Sequence, residues 1–229
     1  MLITFEGHAC FTLEANGVQV MIDPYITGNS VCKKSAADFN PDVILVTHGH
    51  HDHVGDAVEI ARNSGAILAA QVELINALDT EGIETVAFQI GGTTHIKGLD
   101  IIMTPAWHGN SVNTKDGIKS AGLACGYIVK DGKHTVYHAG DTALFGDMSM
   151  VLSRYNIDCS LLPIGDFYTM GPKDAVTAAH WLKTKSVIPM HYNTSPKVEQ
   201  DVDAFAMDLE DRTDCKCIVL AAGEEYELL

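Results

Sequence analysis

The chain has 229 residues, of which 46% are hydrophobic and 20% charged, a balance that indicates a folded globular protein and excludes an intrinsically disordered one. Its formal net charge of −15 opposes nucleic-acid binding, because the phosphate backbone would be repelled. No apolar run approaches the ~20 residues of a membrane-spanning helix, and the first residues lack the basic and apolar regions of a signal peptide. We therefore expect a cytoplasmic protein without membrane contact.

The chain shows no internal boundary. No Pro-, Gly- or Ser-rich linker and no run of charge divides it, so we expect a single domain over residues 1–229. The six cysteines are scattered without a CxxC pair and are interpreted as structural thiols rather than metal ligands. A homo-oligomer is compatible with this composition.

Turn signals and apolar runs predict the elements of the first half. Asn16-Gly17 is typical of a primed turn and joins strands at 9–14 and 18–23 into a hairpin. Residues 42–47 form a short β-branched run, typical of a strand covered on both faces. Apolar residues spaced i, i+3, i+4 and i+7 then predict a helix that Gly65 can end. Further strands are predicted at 66–70, 85–90 and 99–104, and a helix at 72–78.

The second half repeats this plan. A hairpin of residues 123–130 and 133–139 closes at Asp131-Gly132 and leads to Asp141, much as the first hairpin leads to Asp23. Helices are predicted at 143–155, 174–182 and 198–212, and strands at 157–162, 186–190 and 215–220. Two such β-then-α halves, packed sheet to sheet, predict an α/β protein with a four-layer αββα sandwich.

The strongest chemical feature is the run Thr-His-Gly-His-His-Asp-His at residues 47–53, between a predicted buried strand and a predicted helix. Imidazole nitrogen and carboxylate oxygen suit zinc and related divalent metals. Three further candidate ligands, His108, Asp141 and His191, also follow predicted strands. This recurrence favours a metal site over a solvated histidine-rich loop.

These residues resemble a known family. His48, His50, Asp52 and His53 match the HxHxDH signature of the metallo-β-lactamase superfamily in full. The later single His, Asp and His of that family are matched in order by His108, Asp141 and His191. More narrowly, segments 7–11, 23–24, 139–142 and 190–192 look like those of compact metal-dependent hydrolases related to ascorbate-phosphate lactonases.

The resemblance implies a site with two divalent metal ions. One ion would be held by His48, His50 and His108, the other by Asp52, His53 and His191, with Asp141 as the bridge. Zn²⁺ is the first expectation, and Mn²⁺, Ni²⁺ or iron are alternatives. A hydroxide shared by metals ~3.5–4 Å apart would cleave an ester, lactone or phosphodiester bond of a small-molecule substrate. Asp52 and Asp141 are also candidates to orient that hydroxide or accept its proton.

Other polar residues have both functional and structural interpretations. His8 is a candidate catalytic or substrate-contacting residue near the metals, or a structural histidine. Asp23 either supports a ligand histidine or caps a turn. His51 is expected to point away from the metals, and His138 is a candidate to orient Asp141. His95, His134 and His180 are expected not to bind the catalytic metals.

Two loops are candidate walls of a substrate pocket, residues 109–120 and 165–172. Lys115 and Lys119 in the first loop are expected to be solvated charges, with attraction of an anionic substrate as the alternative.

Three other functions stay open at this point. They are a nuclease on the same scaffold, an oxygen-reducing di-iron protein, whose relatives usually place Glu where this chain has His50, and a non-catalytic metal-binding regulatory module.

Overall fold

The computed structural model describes residues 1–228, which contain sixteen β-strands and six α-helices. The strands are β1 (Leu2–Gly7), β2 (Cys10–Ala15), β3 (Val18–Ile22), β4 (Val43–Leu45), β5 (Ile67–Gln71), β6 (Thr85–Phe88), β7 (Thr93–Ile96), β8 (Leu99–Pro105), β9 (Ser111–Thr114), β10 (Gly117–Ser120), β11 (Cys125–Lys130), β12 (Thr135–His138), β13 (Cys159–Pro163), β14 (Ser186–Met190), β15 (Lys216–Cys217) and β16 (Glu225–Glu227). The helices are α1 (His51–Val54), α2 (Ala57–Ser64), α3 (Val72–Ala77), α4 (Asp147–Met150), α5 (Pro172–Leu182) and α6 (Val202–Arg212).

The strands form two seven-stranded sheets and a separate hairpin. The first sheet has the order β16-β1-β2-β3-β4-β5-β6, and the second has the order β15-β14-β13-β12-β11-β8-β7. In the first sheet β3 to β6 are parallel, and in the second β12 to β15 are parallel. Strands β9 and β10 pair only with each other.

The buried residues explain the layering. Alternate residues of the strands point to opposite sheet faces, so Leu13 of the first sheet and Tyr127 of the second share one core between the sheets. On the outer face of the first sheet, Ile44 packs in a cluster with Ile60 of α2. On the outer face of the second, Leu162 packs in a cluster with Ala178 of α5. This order of layers confirms the predicted αββα sandwich.

Several predicted elements are confirmed in detail. The first hairpin turns at Asn16 and Gly17, both with positive φ, as a primed turn requires. Helix α2 ends at Gly65 in the left-handed conformation, and α5 begins at Pro172, where a missing amide proton costs nothing.

Other elements differ from the sequence-based predictions. The sequence groups the predicted strand at 99–104 with the first half of the chain. The corresponding strand, β8, instead pairs with β11 in the second sheet. The expected helix at 143–155 is only the short α4 followed by a 3-10 turn at Leu152–Tyr155, which ends at Asn156 in the left-handed region. Residues 109–120, expected as a polar loop, contain the β9–β10 hairpin.

The fold brings strand ends from both sheets to one place. Thr47 and His48 follow β4 of the first sheet, while Asp141 and His191 follow β12 and β14 of the second. The backbone amide of His191 donates a 2.7 Å hydrogen bond to the carbonyl of His8, which lies in the β1–β2 turn. Within residues 1–228, no helix has the length and apolar character needed to cross a bilayer.

Candidate metal centre

The loop after β4 is fixed by a buried carboxylate. Asp23 accepts hydrogen bonds from the Thr47 backbone amide at 2.8 Å and from the Thr47 hydroxyl at 2.7 Å. Since the hydroxyl proton goes to Asp23, Thr47 Oγ1 is left to accept from Nδ1 of His48, 3.0 Å away. His53 Nδ1 lies 2.7 Å from Asp23 Oδ2. Asp23 therefore favours the tautomers of His48 and His53 that leave each Nε2 with a free lone pair.

Three histidines form the first group of possible ligands. His50 Nδ1 lies 3.0 Å from His48 Nε2 and 3.2 Å from His108 Nε2. Three nitrogens bound to one tetrahedral zinc at ~2.0–2.1 Å would lie about 3.3 Å apart. The spacing of these imidazoles is therefore close to what one ion requires.

A second group lies beside the first. Its members offer ligand atoms within 4.8 Å of one another and come from the β1–β2 turn, helix α1 and the end of β14: His8, Asp52, His53 and His191. The predicted trio of Asp52, His53 and His191 is thus brought together, and His8 is added to it. His8 Nε2 lies 3.2 Å from Asp52 Oδ2, while its Nδ1 lies 2.7 Å from the Thr194 hydroxyl.

Asp141 lies between the two groups. Its Oδ2 is 3.1 Å from His191 Nε2, 3.3 Å from His53 Nε2, 3.6 Å from His108 Nε2 and 3.9 Å from His48 Nε2. Among residues 1–228, its other oxygen, Oδ1, has no hydrogen-bond partner although it is buried. Nε2 of His191 and Nε2 of His53 lie close to Asp141 Oδ2 but make no hydrogen bond of good geometry within residues 1–228, and neither does the buried Nδ1 of His191. Such unsatisfied atoms are rare in folded proteins and need an explanation, which a bound cation provides.

The electrostatics of the centre favour positive charge between its carboxylates. Burial opposes a charged imidazole at His53, but Asp141 and Asp23 raise its pKa well above the usual range. Burial also opposes ionisation of Asp141, yet His191 and His53 hold its pKa well below the usual range. Asp141 is therefore ionised, and it stabilises positive charge beside it. In the metal-free protein this charge is a proton on His53, which a metal ion bound at His53 Nε2 would displace.

Two histidines of the centre, His48 and His8, favour the neutral form. Burial lowers the pKa of His48 well below its usual value, with His53 adding to the effect. Burial also lowers the pKa of His8 to about 4, although its contact with Asp52 opposes this shift. A neutral imidazole keeps a lone pair, which is the form that binds metals.

The structure answers several questions left open by the sequence. Asp23 contacts His53 directly, so it supports a candidate ligand instead of only capping a turn. His138, a candidate to orient Asp141, makes no direct contact with that carboxylate: its Nδ1 accepts from the Gly140 amide at 3.1 Å, and its Nε2 lies 2.8 Å from the Ala9 carbonyl. His138 faces the core between the sheets, so it fixes the backbone before Asp141 and does not reach its carboxylate.

The remaining histidines lie outside the candidate ligand groups. His51 is exposed, and its Nδ1 is 3.6 Å from Asp52 Oδ1. His95 pairs with Asp100 on the surface, and His134 pairs with Asp131. His180 is exposed on α5.

The cysteines and the two lysines singled out from the sequence also lie away from the centre. None of the six cysteines, all of them free, is part of the candidate ligand groups among residues 1–228. Lys119 contacts Asp116 within the β9–β10 hairpin, and neither Lys115 nor Lys119 lines the central cavity.

The centre forms the floor of a cavity of about 460 Å³. Both predicted walls contribute to it, through Ser111 and Asn113 from the β9–β10 hairpin and through Tyr168 from the loop before α5. Sequence reasoning did not identify two further walls, around Tyr25 and around Thr194. Their residue types are common in ordinary loops, and only the distance of Thr194 from His8 reveals its place at the site.

Comparison with known proteins agrees with the geometry. Residues 2–191 match the model of a beta-lactamase superfamily domain. A UPF0173 metal-dependent hydrolase from Pelotomaculum thermopropionicum is 45% identical over 230 residues, covering 100% of each chain. One from Methanopyrus kandleri is 43% identical, covering 99% of this chain and 100% of its own.

A solved structure gives the same result. Igni18, described as a novel metallo hydrolase from the archaeon Ignicoccus hospitalis, superimposes with a TM-score of 0.87 at 37% identity. The match covers 100% of this chain and 99% of that one. The chain belongs to the beta-lactamase superfamily, and it is a metal-dependent hydrolase.

Proposed function

We propose that the centre holds two divalent metal ions and that the chain hydrolyses an ester, lactone or phosphodiester bond of a small-molecule substrate. The position of Asp141 carries this proposal. One of its oxygens lies within 3.1–3.9 Å of Nε2 atoms from four histidines, which belong to the two groups of candidate ligands. A single buried carboxylate in that position suits a bridge between two cations better than a salt bridge to any one histidine.

The proposed ligand sets follow the two groups. His48, His50 and His108 would hold one ion, and Asp52, His53 and His191 the other. Their nitrogen and oxygen atoms suit Zn²⁺, while Mn²⁺, Ni²⁺ and iron accept similar ligands. When bound, such ions would lower the pKa of a water molecule toward neutrality and polarise the substrate oxygen under attack.

The protein residues would position these components. Asp141 would place negative charge between the ions and offset their repulsion. Burial opposes ionisation of Asp52, but its contact with His8 and the nearby His53 lower its pKa, so Asp52 is a carboxylate that accepts hydrogen bonds. His8 is neutral and reaches the cavity beside Asp52, where it would contact the substrate or hold Asp52 in place.

The other candidate functions have less support. A nuclease would need positive charge to hold the nucleic-acid backbone, and among residues 1–228 no Lys or Arg lines the cavity. His50 occupies the position where di-iron oxygen-reducing relatives usually have Glu, and its Nδ1 lies beside His48 and His108. A regulatory module without catalysis disagrees with the curated relatives, which are named as hydrolases.

The first prediction tests the metal content. The purified protein is expected to contain close to two divalent ions per chain, and chelation is expected to abolish hydrolysis of a panel of lactones, aryl esters and phosphodiesters. Elemental analysis and turnover before and after chelation provide the measurement. A preparation without metal that is still active would contradict the proposed mechanism, and readdition of zinc after chelation serves as the control.

The second prediction tests the ligand assignment. His108→Ala and His191→Ala are each expected to lower the metal content by about one ion per chain, because each removes a nitrogen from a different group. His95→Ala and His134→Ala are matched controls that are expected to keep the wild-type metal content, since both histidines pair with carboxylates outside the centre. Equal metal loss in all four variants would show that the ligands are wrongly assigned.

A further inference from the structure

The loop before α5 holds an exposed aromatic residue at the cavity in a defined position. The backbone amide of Asp166 donates to the Met170 carbonyl at 3.2 Å and closes the loop, and the Met170 amide donates to the Thr142 carbonyl at 2.8 Å, next to Asp141. Tyr168 lies within this closed loop and lines the cavity. Its ring packs edge-on against Phe167, with 4.7 Å between ring centroids.

A lysine fixes the role of the Tyr168 hydroxyl. Lys197 Nζ donates a hydrogen bond to Tyr168 Oη at 3.2 Å and lies 4.9 Å from the centroid of the Phe167 ring. An ammonium group can only donate, so the tyrosine oxygen must accept. Among the hydrogen bonds of residues 1–228, Tyr168 Oη takes part only in this one. Its own proton is therefore available to a ligand.

The side chains that line the cavity include few charged groups. Among residues 1–228, the only carboxylates in its lining are Asp52 and Asp141, which belong to the candidate metal centre, and no Lys or Arg lines it. The walls also present uncharged hydroxyl groups, among them those of Ser30, Ser111 and Ser195. The cation nearest to Tyr168, Lys197, is engaged with the Tyr168 hydroxyl and the Phe167 ring. An anionic group on the substrate would therefore find no free opposite charge among the lining residues, in a protein of net charge −15.

We propose that the Tyr168 hydroxyl donates a hydrogen bond to an uncharged oxygen of the substrate, and that Lys197 orients this hydroxyl. The substrate class is then an uncharged ester or lactone, whose carbonyl, ring or hydroxyl oxygens match the hydroxyl groups of the walls, and not a phosphorylated lactone. This inference rests on the proposed hydrolysis of a small-molecule ester or lactone. Tyr168 is a substrate-binding residue, and Lys197 is a positioning residue that acts through it.

The test uses the metal-loaded protein with two small probes. δ-Valerolactone reports turnover, and δ-valerolactam, its amide counterpart, reports binding by calorimetry. Tyr168→Phe is expected to raise both KM for the lactone and Kd for the lactam by about 3- to 10-fold, the value of one neutral hydrogen bond. Lys197→Met is expected to have a smaller effect, and no further effect in the Tyr168→Phe background.

The chain offers a matched control for this change. Arg154 Nη2 donates to Tyr155 Oη at 3.0 Å, and its guanidinium lies 5.0 Å from the Tyr155 ring centroid, so this tyrosine also accepts from a cation. Tyr155 does not line the cavity. Tyr155→Phe is therefore expected to leave KM and Kd unchanged, with the metal content of all variants equal to that of the wild type.

The outcomes separate this inference from the proposed function. Lactam binding that weakens in Tyr168→Phe, without lactone turnover by the wild type, would support the inference but contradict hydrolysis of this lactone. Unchanged KM and Kd in Tyr168→Phe would overturn the inference and leave the hydrolase proposal intact. Lactam binding that is equally weak in the wild type and Tyr168→Phe would also overturn it.

A second pair of probes tests the charge of the substrate. D-Glucono-1,5-lactone and its 6-phosphate differ only in a terminal phosphate. Equal or lower kcat/KM for the phosphorylated lactone supports the proposal. A preference of tenfold or more for the phosphorylated lactone that disappears in Lys197→Met would overturn it, because Lys197 would then bind an anionic group directly.

Discussion

Asp141→Ala is expected to lower turnover by about three orders of magnitude, comparable to the loss of a key preorganised electrostatic group, and to leave about one tightly bound metal ion per chain. Two doubly charged ions ~4 Å apart repel by roughly 16 kcal/mol at an effective dielectric constant of 20. The buried carboxylate of Asp141 lies between both ligand groups, so its removal takes away the charge that offsets this repulsion. His48, His50 and His108 still offer three neutral nitrogens to one ion.

Metal titration by calorimetry and turnover on the best lactone or ester of the panel provide the measurements for Asp141→Ala. Asp141→Asn keeps the shape of the side chain and is expected to lose nearly as much, since the charge is what matters. Asp100→Ala removes a carboxylate that also contacts a histidine, at 2.7 Å from His95 Nδ1 on the surface, and is expected to behave like the wild type. Two tightly bound ions and near-normal turnover in Asp141→Ala would show that Asp141 is not the bridge.

Asp23→Asn is expected to weaken metal binding by about 10- to 100-fold, the usual cost of losing a group that orients a ligand, and to destabilise the protein by about 1–3 kcal/mol. The carboxylate accepts from the Thr47 amide, the Thr47 hydroxyl and His53 Nδ1. An amide has only one acceptor oxygen, so its NH2 group would face at least one of these donors. The tautomers that present Nε2 of His48 and His53 would then lose their support.

Metal affinity by competition with a chelator and the free energy of unfolding in urea test Asp23→Asn. Asp131→Asn is a matched control, because Asp131 also contacts a histidine, His134 at 3.1 Å, and accepts from backbone amides. It is expected to affect stability without changing metal affinity. An Asp23→Asn protein with unchanged metal affinity would mean that Asp23 acts only on the stability of the turn.

The sequence predicts the local elements well, and it also identifies the His and Asp residues that the fold brings together, because both depend on short-range patterns. Asn16-Gly17 and Gly65 end their elements through backbone conformations that few other residues adopt. His48, Asp141 and His191 follow buried strands, and a sheet brings the ends of parallel strands to one edge. An apolar strand followed by a His or Asp therefore indicates where in the fold that side chain lies, as well as which chemistry it can supply.

The remaining features depend on contacts between distant residues. Nothing local in β8 indicates that it pairs with β11 and not with the first sheet, because an apolar strand fits either core. Strands β9 and β10 have few apolar residues, and β10 is exposed throughout, so their pattern resembles a polar loop. His138 lies two residues before Gly140, and the sequence does not show which face of its strand it occupies. In the fold its side chain faces the core between the sheets, where it contacts backbone groups instead of Asp141.

The hydrogen bond between the His191 amide and the His8 carbonyl joins loops that belong to different sheets. The proposed metal ligands divide in the same way, since His48 to His53 follow a strand of the first sheet while His108, Asp141 and His191 follow strands of the second. Metal binding would then stabilise the packing of the two sheets against each other, and the packing would in turn strengthen metal binding. By thermodynamic linkage, each tenfold rise in free metal above its dissociation constant would add about 1.4 kcal/mol to the stability of the assembled sandwich. The metal centre would thus also hold the two halves of the protein together.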